Sequence, residues 1–145
     1  PQDEDVLLDV LRHPSTVMTF SDSGAHLSQI ADASIHTHQL GHWVRDRGAF
    51  TLEEGVRMLT DEPARAWGFS DRGRLAPGRL ADLNVFDPDT VGPAVPELVE
   101  DLPGGGLRLS QRAEGFAATV VAGTITIREG RPTGARPGRL IRAGS

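Results

Sequence analysis

The sequence predicts an α+β protein in which a mainly helical part is followed by short strands and turns. Gly and Pro total 27 residues, of which 7 lie in residues 1–67 and 20 in residues 68–145. Because both residue types interrupt regular helices, helices are expected before residue 68 and turns after it. Short β-rich runs in the second part are the other observation. We therefore predict two units, residues 1–67 and 68–145.

Several helices are predicted in the first unit. Acidic residues precede an amphipathic apolar pattern near the N-terminus, and Pro14 ends the helix that this pattern predicts. Residues 35–47 are expected to form a second helix that ends at a glycine. Thr51 and Glu54 have the spacing of a capping box, so a third helix should begin there. Pro63 suits the first turn of a further short helix.

A short apolar run leads directly into the strongest candidate for chemistry. Residues 17–20 are apolar or β-branched and predict a buried strand. Asp22 and Ser23 follow it, and His26 belongs to the same loop. A carboxylate at the C-terminal end of a buried strand is typical of the catalytic face of a barrel enzyme. Ser-Asp-Ser-Gly is also ordinary turn chemistry, and the residues alone leave both interpretations open.

The other histidines and the tryptophans favour structural roles. His38 and His42 are four residues apart, a spacing that can bind zinc on one helix face, and His36 lies two residues before His38. No Glu lies between His38 and His42 as a protease base, so surface or helix-packing roles are favoured over a metal site. Trp43 and Trp67 follow helical patterns and are predicted to lie in the core.

In the second unit, strands are predicted over residues 81–86, 116–121 and 124–128. The last two are separated by Ala-Gly and therefore predict a hairpin. Residues 88–106 are rich in Pro and Gly and end in three glycines, so we expect a long loop there.

Composition narrows the classes of function. The chain has 145 residues, no Cys, and 15 basic against 20 acidic residues, a net charge of −5. Thiolate chemistry and disulfides are excluded, and nucleic-acid binding is disfavoured because a basic surface is absent. No apolar run approaches the roughly 20 residues of a membrane span, and the acidic N-terminus is unlike a signal peptide. We expect a cytoplasmic protein.

Three segments carry a resemblance to a known family. They are SDSGAH, LGHWVRDRG and, most specifically, DRGRLAPGRLADLNVFDPDTV. These runs resemble the C-terminal part of the amidohydrolase superfamily, in particular its N-acyl-D-amino-acid deacylase (D-aminoacylase-like) branch, amidohydrolase family 3. The residues from Glu114 to Gly130 resemble the closing hairpin of that family, with Ala122 where Asn is usual. The resemblance covers most of residues 16–142.

The resemblance implies a fold and a catalytic role. Members fold as a (β/α)8 barrel that binds one or two divalent metals, usually zinc, and continue into a β-sandwich. Asp22 matches the Asp at the end of the eighth barrel strand, which contacts the metal, takes a proton from the metal-bound water and returns it to the leaving amine. Ser23 and His26 are then candidates for binding the amide substrate. Zinc is the implied cofactor.

Length sets the expectation for the isolated chain. A complete barrel needs about 250 residues, so this chain is expected to be the C-terminal portion: the last barrel strand with helices, then sandwich strands. Without the N-terminal barrel portion we expect it to be inactive and prone to self-association through exposed strand edges. The alternative is an autonomous, non-catalytic binding or structural module.

Overall fold

A computed structural model describes residues 3–29 and 33–141 of the chain. Parts of the predicted units, at residues 1–2, 30–32 and 142–145, lie outside the described residues. The helices come first, and α2 continues directly into a π-helix: α1 (Glu4–Arg12), α2 (Ile35–His38), the π-helix (Gln39–Asp46), α3 (Leu52–Leu59) and α4 (Asp61–Ala66). Helices followed by antiparallel strands agree with the predicted α+β class.

The residues predicted to begin helices do so in α1 and α3. At α1, the Asp3 side chain accepts a hydrogen bond from the amide of Asp5 at 3.1 Å, and the helix ends just before Pro14. At α3, the amide of Glu54 donates to Thr51 Oγ1 at 3.2 Å, while the amide of Thr51 donates to Glu54 Oε2 at 2.8 Å. The capping box is confirmed, and it satisfies two amides that the helix itself leaves without acceptors.

The helix predicted over residues 35–47 is present, but its second half winds as a π-helix. The amide of Arg47 donates to the carbonyl of His42, five residues earlier, at 2.8 Å. Gly41 lies on this segment, and a Cβ there would be 2.8 Å from the carbonyl oxygen of Val91. The missing side chain therefore lets the segment that carries Val91 pack directly against the helix backbone.

A small core joins the helices to the start of the second unit. Its apolar members come from the π-helix, α3, α4 and one extended segment: Leu40, Trp43, Met58, Ala64 and Val91. Burial of Trp43 confirms the core role predicted for it. The same prediction for Trp67 is wrong, because this side chain is 56% exposed. Trp67 follows the last residue of α4, so it lies past the helix that would have turned it inward.

The strands are all paired antiparallel. They are β1 (Leu83–Phe86), β2 (Gly92–Pro93), β3 (Glu97–Leu102), β4 (Gly106–Ser110), β5 (Ala113–Glu114), β6 (Phe116–Val121), β7 (Thr124–Arg128) and β8 (Arg131–Pro132). The largest sheet has the order β1-β6-β7-β8. The predicted β6–β7 hairpin is confirmed, and Ala122 and Gly123 both have positive φ, 48° and 77°, as its two-residue turn requires.

The long loop predicted over residues 88–106 is wrong, because most of it belongs to an antiparallel ribbon. Here β2 pairs with β5, and β3 pairs with β4, so the first half of residues 92–114 lies antiparallel to the second half. Gly104 and Gly105, each with φ of 75°, form the turn at the tip. We call residues 92–114 the arm. The glycines that indicated a loop are the turn of a hairpin.

The strand predicted over residues 17–20 is not formed. This segment belongs to no ladder, since within residues 3–29 and 33–141 no strand pairs with it. Phe20 is consequently 74% exposed. A strand is defined by its hydrogen-bonded neighbours, and the part of the chain that the structure describes provides none for this segment.

Candidate active-site loop

The three site residues predicted from the sequence lie together on one surface loop. We call residues 21–29 the Asp22 loop. The amide of Ala25 donates to the carbonyl of Asp22 at 2.9 Å, and the amide of Gln29 donates to the carbonyl of His26 at 2.7 Å. Two successive turns therefore make this loop compact.

Asp22, Ser23 and His26 are all exposed on that loop. The amide of Ser23 donates to Ser21 Oγ at 3.2 Å, which shapes the turn that presents Asp22. His26 has a φ of 49°, in the left-handed region that non-glycine residues rarely adopt. The loop thus offers a carboxylate, a hydroxyl and an imidazole on one accessible surface. Their joint role in a site stays a prediction.

The arm contacts this loop. The amide of Leu109 in β4 donates to the carbonyl of Leu27 at 2.7 Å, across 82 positions of sequence. Sequence reasoning missed this contact because the Pro and Gly content of residues 88–106 predicts a loop. Three glycines between two runs that contain Leu were the available signal for a hairpin.

The histidines of the second helix form a separate cluster. The rings of His38 and His42 stack at a centroid distance of 4.7 Å, and Trp43 meets the His42 ring edge-on at 4.7 Å. His42 Nε2 lies 3.7 Å from a carboxylate oxygen of Glu4, which also pairs with Arg47. Burial, and next the neighbouring His42, lower the pKa of His38 from its ordinary value of 6.5. These contacts fasten α1 to the π-helix.

The described residues do not by themselves form a metal site. Over residues 3–29 and 33–141, no three His, Asp or Glu side chains are close enough to share an ion. Catalytic zinc sites use about three protein ligands, and the Asp22 loop supplies one carboxylate and one imidazole. A metal at Asp22 would need ligands from elsewhere.

One groove of the described residues lies away from the Asp22 loop. It has a volume of about 720 Å³ and lies between α1, residues 16–17, α3 and α4. Its charged lining residues include Arg12, Glu54, Arg57, Glu62 and Arg65. None of the three predicted site residues lines it.

The most specific part of the resemblance has a structural explanation. Asp61 accepts two hydrogen bonds from Arg74, at 2.6 and 2.9 Å, which ties α4 to the segment that leaves the helical part. Asp82, just before β1, accepts from Arg72 at 2.9 Å and from the amide of Ala122 at 2.7 Å. The motif therefore joins the end of the helices to the β6–β7 turn.

Comparison with known proteins identifies the family. The model of the amidohydrolase family matches residues 7–131, most of the chain. The chain belongs to the amidohydrolase family. An N-acyl-D-glutamate deacylase of Alcaligenes xylosoxydans xylosoxydans is 38% identical over 106 residues, which cover 73% of this chain and 20% of the relative. A D-aminoacylase of the same organism is 36% identical over 102 residues, covering 70% and 19%.

A solved structure supports the same relationship for this amidohydrolase chain. A D-aminoacylase, studied for the functional role of its binuclear metal centre, matches with a TM-score of 0.57 at 32% identity. The match covers 70% of this chain and 20% of that one. The chain thus spans about a fifth of the length of the curated relatives it matches. In residues 3–29 and 33–141, no helix has the length and apolar character to cross a bilayer.

Proposed function

We propose that this chain is the C-terminal portion of a metal-dependent amidohydrolase that cleaves the amide bond of a small molecule of the N-acyl-D-amino-acid type. The relatives named as N-acyl-D-glutamate deacylase and D-aminoacylase support this substrate class. The observation that carries the proposal is Asp22, on an exposed, compact loop within the segment that the family model matches.

Asp22 is assigned the proton transfers of the reaction. As a carboxylate it accepts a proton from the water that attacks the amide carbonyl. As a carboxylic acid it then donates that proton to the nitrogen of the leaving amine, so the side chain ends in its starting state. Ser23 and His26 are assigned to substrate binding, since a hydroxyl and an imidazole on the same loop can donate to the carbonyl or carboxylate oxygens of an acylated amino acid.

The metal centre belongs to the longer protein. Zinc is the ion that the resemblance implies, and the binuclear centre of the related D-aminoacylase supports metal dependence in the family. Because Asp22 alone cannot hold an ion, the other ligands would come from outside residues 3–29 and 33–141.

Exposed apolar side chains support an extension of the fold. Val6 and Val10 are 57% and 52% exposed on α1, and Phe20 is 74% exposed on the segment before Asp22. No strand within residues 3–29 and 33–141 pairs with residues 17–20, so their backbone could pair with strands of a longer protein. We assign residues 1–67 to the end of a barrel and residues 68–145 to part of a β-sandwich. An isolated chain with these open surfaces would be inactive and would tend to self-associate.

Substitution of Asp22 in the full-length gene product tests the assignment. Asp22→Asn keeps the size of the side chain but removes the proton acceptor, so turnover of N-acyl-D-amino acids should fall by about 10²–10⁴-fold. Asp9→Asn, the same change on the exposed surface of α1, is the matched control and should retain turnover. Bound zinc is measured in each protein. Full turnover in Asp22→Asn would refute the role of Asp22.

A further inference from the structure

We propose that the arm, residues 92–114, positions the Asp22 loop through the backbone amide of Leu109. The proposal rests on the catalytic role proposed for Asp22 and adds a positioning residue that is 87 positions away in sequence. It makes the second unit a working part of the active site.

The arm has a fixed base. Val91, the residue before it, is only 1% exposed. Its carbonyl accepts a hydrogen bond from Arg45 Nη1 at 2.5 Å, and its amide donates to the carbonyl of Asp87 at 2.9 Å. Two glycines enclose it: a Cβ on Gly41 would lie 2.8 Å from the Val91 carbonyl oxygen, and one on Gly115 would lie 2.6 Å from the Val91 nitrogen. With backbone packed on both sides, the base of the arm cannot pivot freely.

Hydrogen bonds and an ion pair join the two sides of the arm along its length. Above the β2–β5 pair, the amide of Ala94 donates to the carbonyl of Arg112 at 2.9 Å, and Gln111 Nε2 donates to the carbonyl of Ala94 at 2.9 Å. Further out, Arg108 donates two hydrogen bonds to Asp101 on the opposite strand, at 2.7 and 2.6 Å. The hydrogen bonds between the strands and the bidentate ion pair together make the arm rigid enough to hold the Asp22 loop that it contacts.

The contact lies on the outer edge of β4. Leu109 is opposite Leu98 in the β3–β4 register, and its amide donates to Leu27 instead of to the facing strand. Leu109 is therefore at a position of the ladder whose amide points away from β3. Because such positions alternate in an antiparallel pair, the amide of Leu107, opposite Glu100, points the same way. Leu107 thus provides a matched position on the same strand and edge.

The hydrogen bond to Leu27 affects Asp22 through the two turns of the Asp22 loop. Leu27 lies within the turn closed by His26 and Gln29, which adjoins the turn closed by Asp22 and Ala25. Two linked turns move together, so fixing the carbonyl of Leu27 limits the positions open to the Asp22 carboxylate. Displacement by about 1 Å is enough to cost an enzyme a large factor in rate.

Proline at Leu109 tests the proposal in the full-length protein. Leu109→Pro removes the amide while keeping an edge position where proline is tolerated. Hydrogen exchange measured on peptides spanning residues 21–29 should quicken about five- to tenfold, as expected for the loss of one hydrogen bond. The kcat should fall by about tenfold or more.

Two variants serve as controls. Leu107→Pro places the same ring on the same edge without touching the bond, and Leu109→Ala removes the side chain but keeps the amide. Both should stay within about twofold of wild type in exchange and in kcat, since neither removes the hydrogen bond.

Three outcomes would overturn the proposal: unchanged exchange in Leu109→Pro, equal effects of Leu107→Pro and Leu109→Pro, or faster exchange with unchanged kcat. Failure of the proposed function has a different signature. If Asp22→Asn keeps full turnover, the catalytic assignment fails and the positioning role fails with it. Faster exchange in Leu109→Pro would then still show that the arm holds the loop.

Discussion

Gly115 offers a quantitative test of how the arm is anchored. It precedes β6 with a φ of 79°, and a Cβ there would lie 2.6 Å from the nitrogen and 2.7 Å from the Cα of Val91. These neighbours are backbone atoms of a residue that is 1% exposed. Gly115→Ala should therefore incur both a conformational and a steric cost.

The two costs can be separated with a second glycine. Gly123 has nearly the same φ, 77°, but nothing lies within 4 Å of the position its Cβ would take. Left-handed φ costs alanine about 1–2 kcal/mol, offset by about 0.4–1 kcal/mol from a less flexible unfolded chain. Gly123→Ala should thus destabilise by about 1 kcal/mol. Gly115→Ala adds about 1–3 kcal/mol of overpacking, for a total near 3 kcal/mol.

Urea unfolding of the 145-residue chain, followed by the fluorescence of the buried Trp43 and the exposed Trp67, measures the difference. With a slope of about 2 kcal/mol per molar urea, the midpoint should fall by about 1.5 M for Gly115→Ala and by about 0.5 M for Gly123→Ala. Equal shifts for the two variants would show that Val91 is not tightly enclosed, and the argument for a fixed arm base would fail.

Two further predictions concern charge. Asp61→Asn should lower the free energy of unfolding by about 2 kcal/mol, because the buried carboxylate accepts two hydrogen bonds from Arg74. Asp101→Asn on the exposed arm should shift the urea midpoint much less, because solvent screens its ion pair with Arg108; similar midpoint shifts for the two variants would contradict this. Burial and His42 lower the pKa of His38 in the folded protein from 6.5. As the pH falls below 6.5, the unfolded chain therefore takes up a proton at His38 before the folded protein does. The contribution of neutral His38 to the free energy of unfolding is complete above pH 6.5 and is lost as the pH falls below it. The urea midpoint should drop between pH 7.5 and 5.5, and His38→Gln should reduce the drop; an equal drop in the variant would refute the assignment.

Helix and hairpin signals were readable from the sequence because they act over a few residues. The pairing of Thr51 with Glu54 spans three positions, and the turn at Ala122 and Gly123 joins strands that are adjacent along the chain. In both cases the atoms that stabilise the element are supplied by the element itself.

Where local signals were ambiguous, the prediction failed. Residues 17–20 have the composition of a buried strand, but among the described residues no neighbouring strand pairs with their backbone. The tip of the arm has the composition of a loop, but the strands on either side of it pair with each other. The residue types of a segment limit which structures it can adopt, and the presence of a strand that pairs with its backbone decides which of them forms.

By itself, the sequence determined the helical first part, the closing hairpin, the family, and the choice of Asp22 as the catalytic candidate. Only the tertiary structure brought Leu109 to Leu27 and enclosed Val91 between Gly41 and Gly115. A backbone amide has the same chemistry at every non-proline residue, so no side-chain pattern marks which amide will meet which carbonyl. That choice is made by the packing of distant segments, and it is the contact through which the arm reaches the candidate active site.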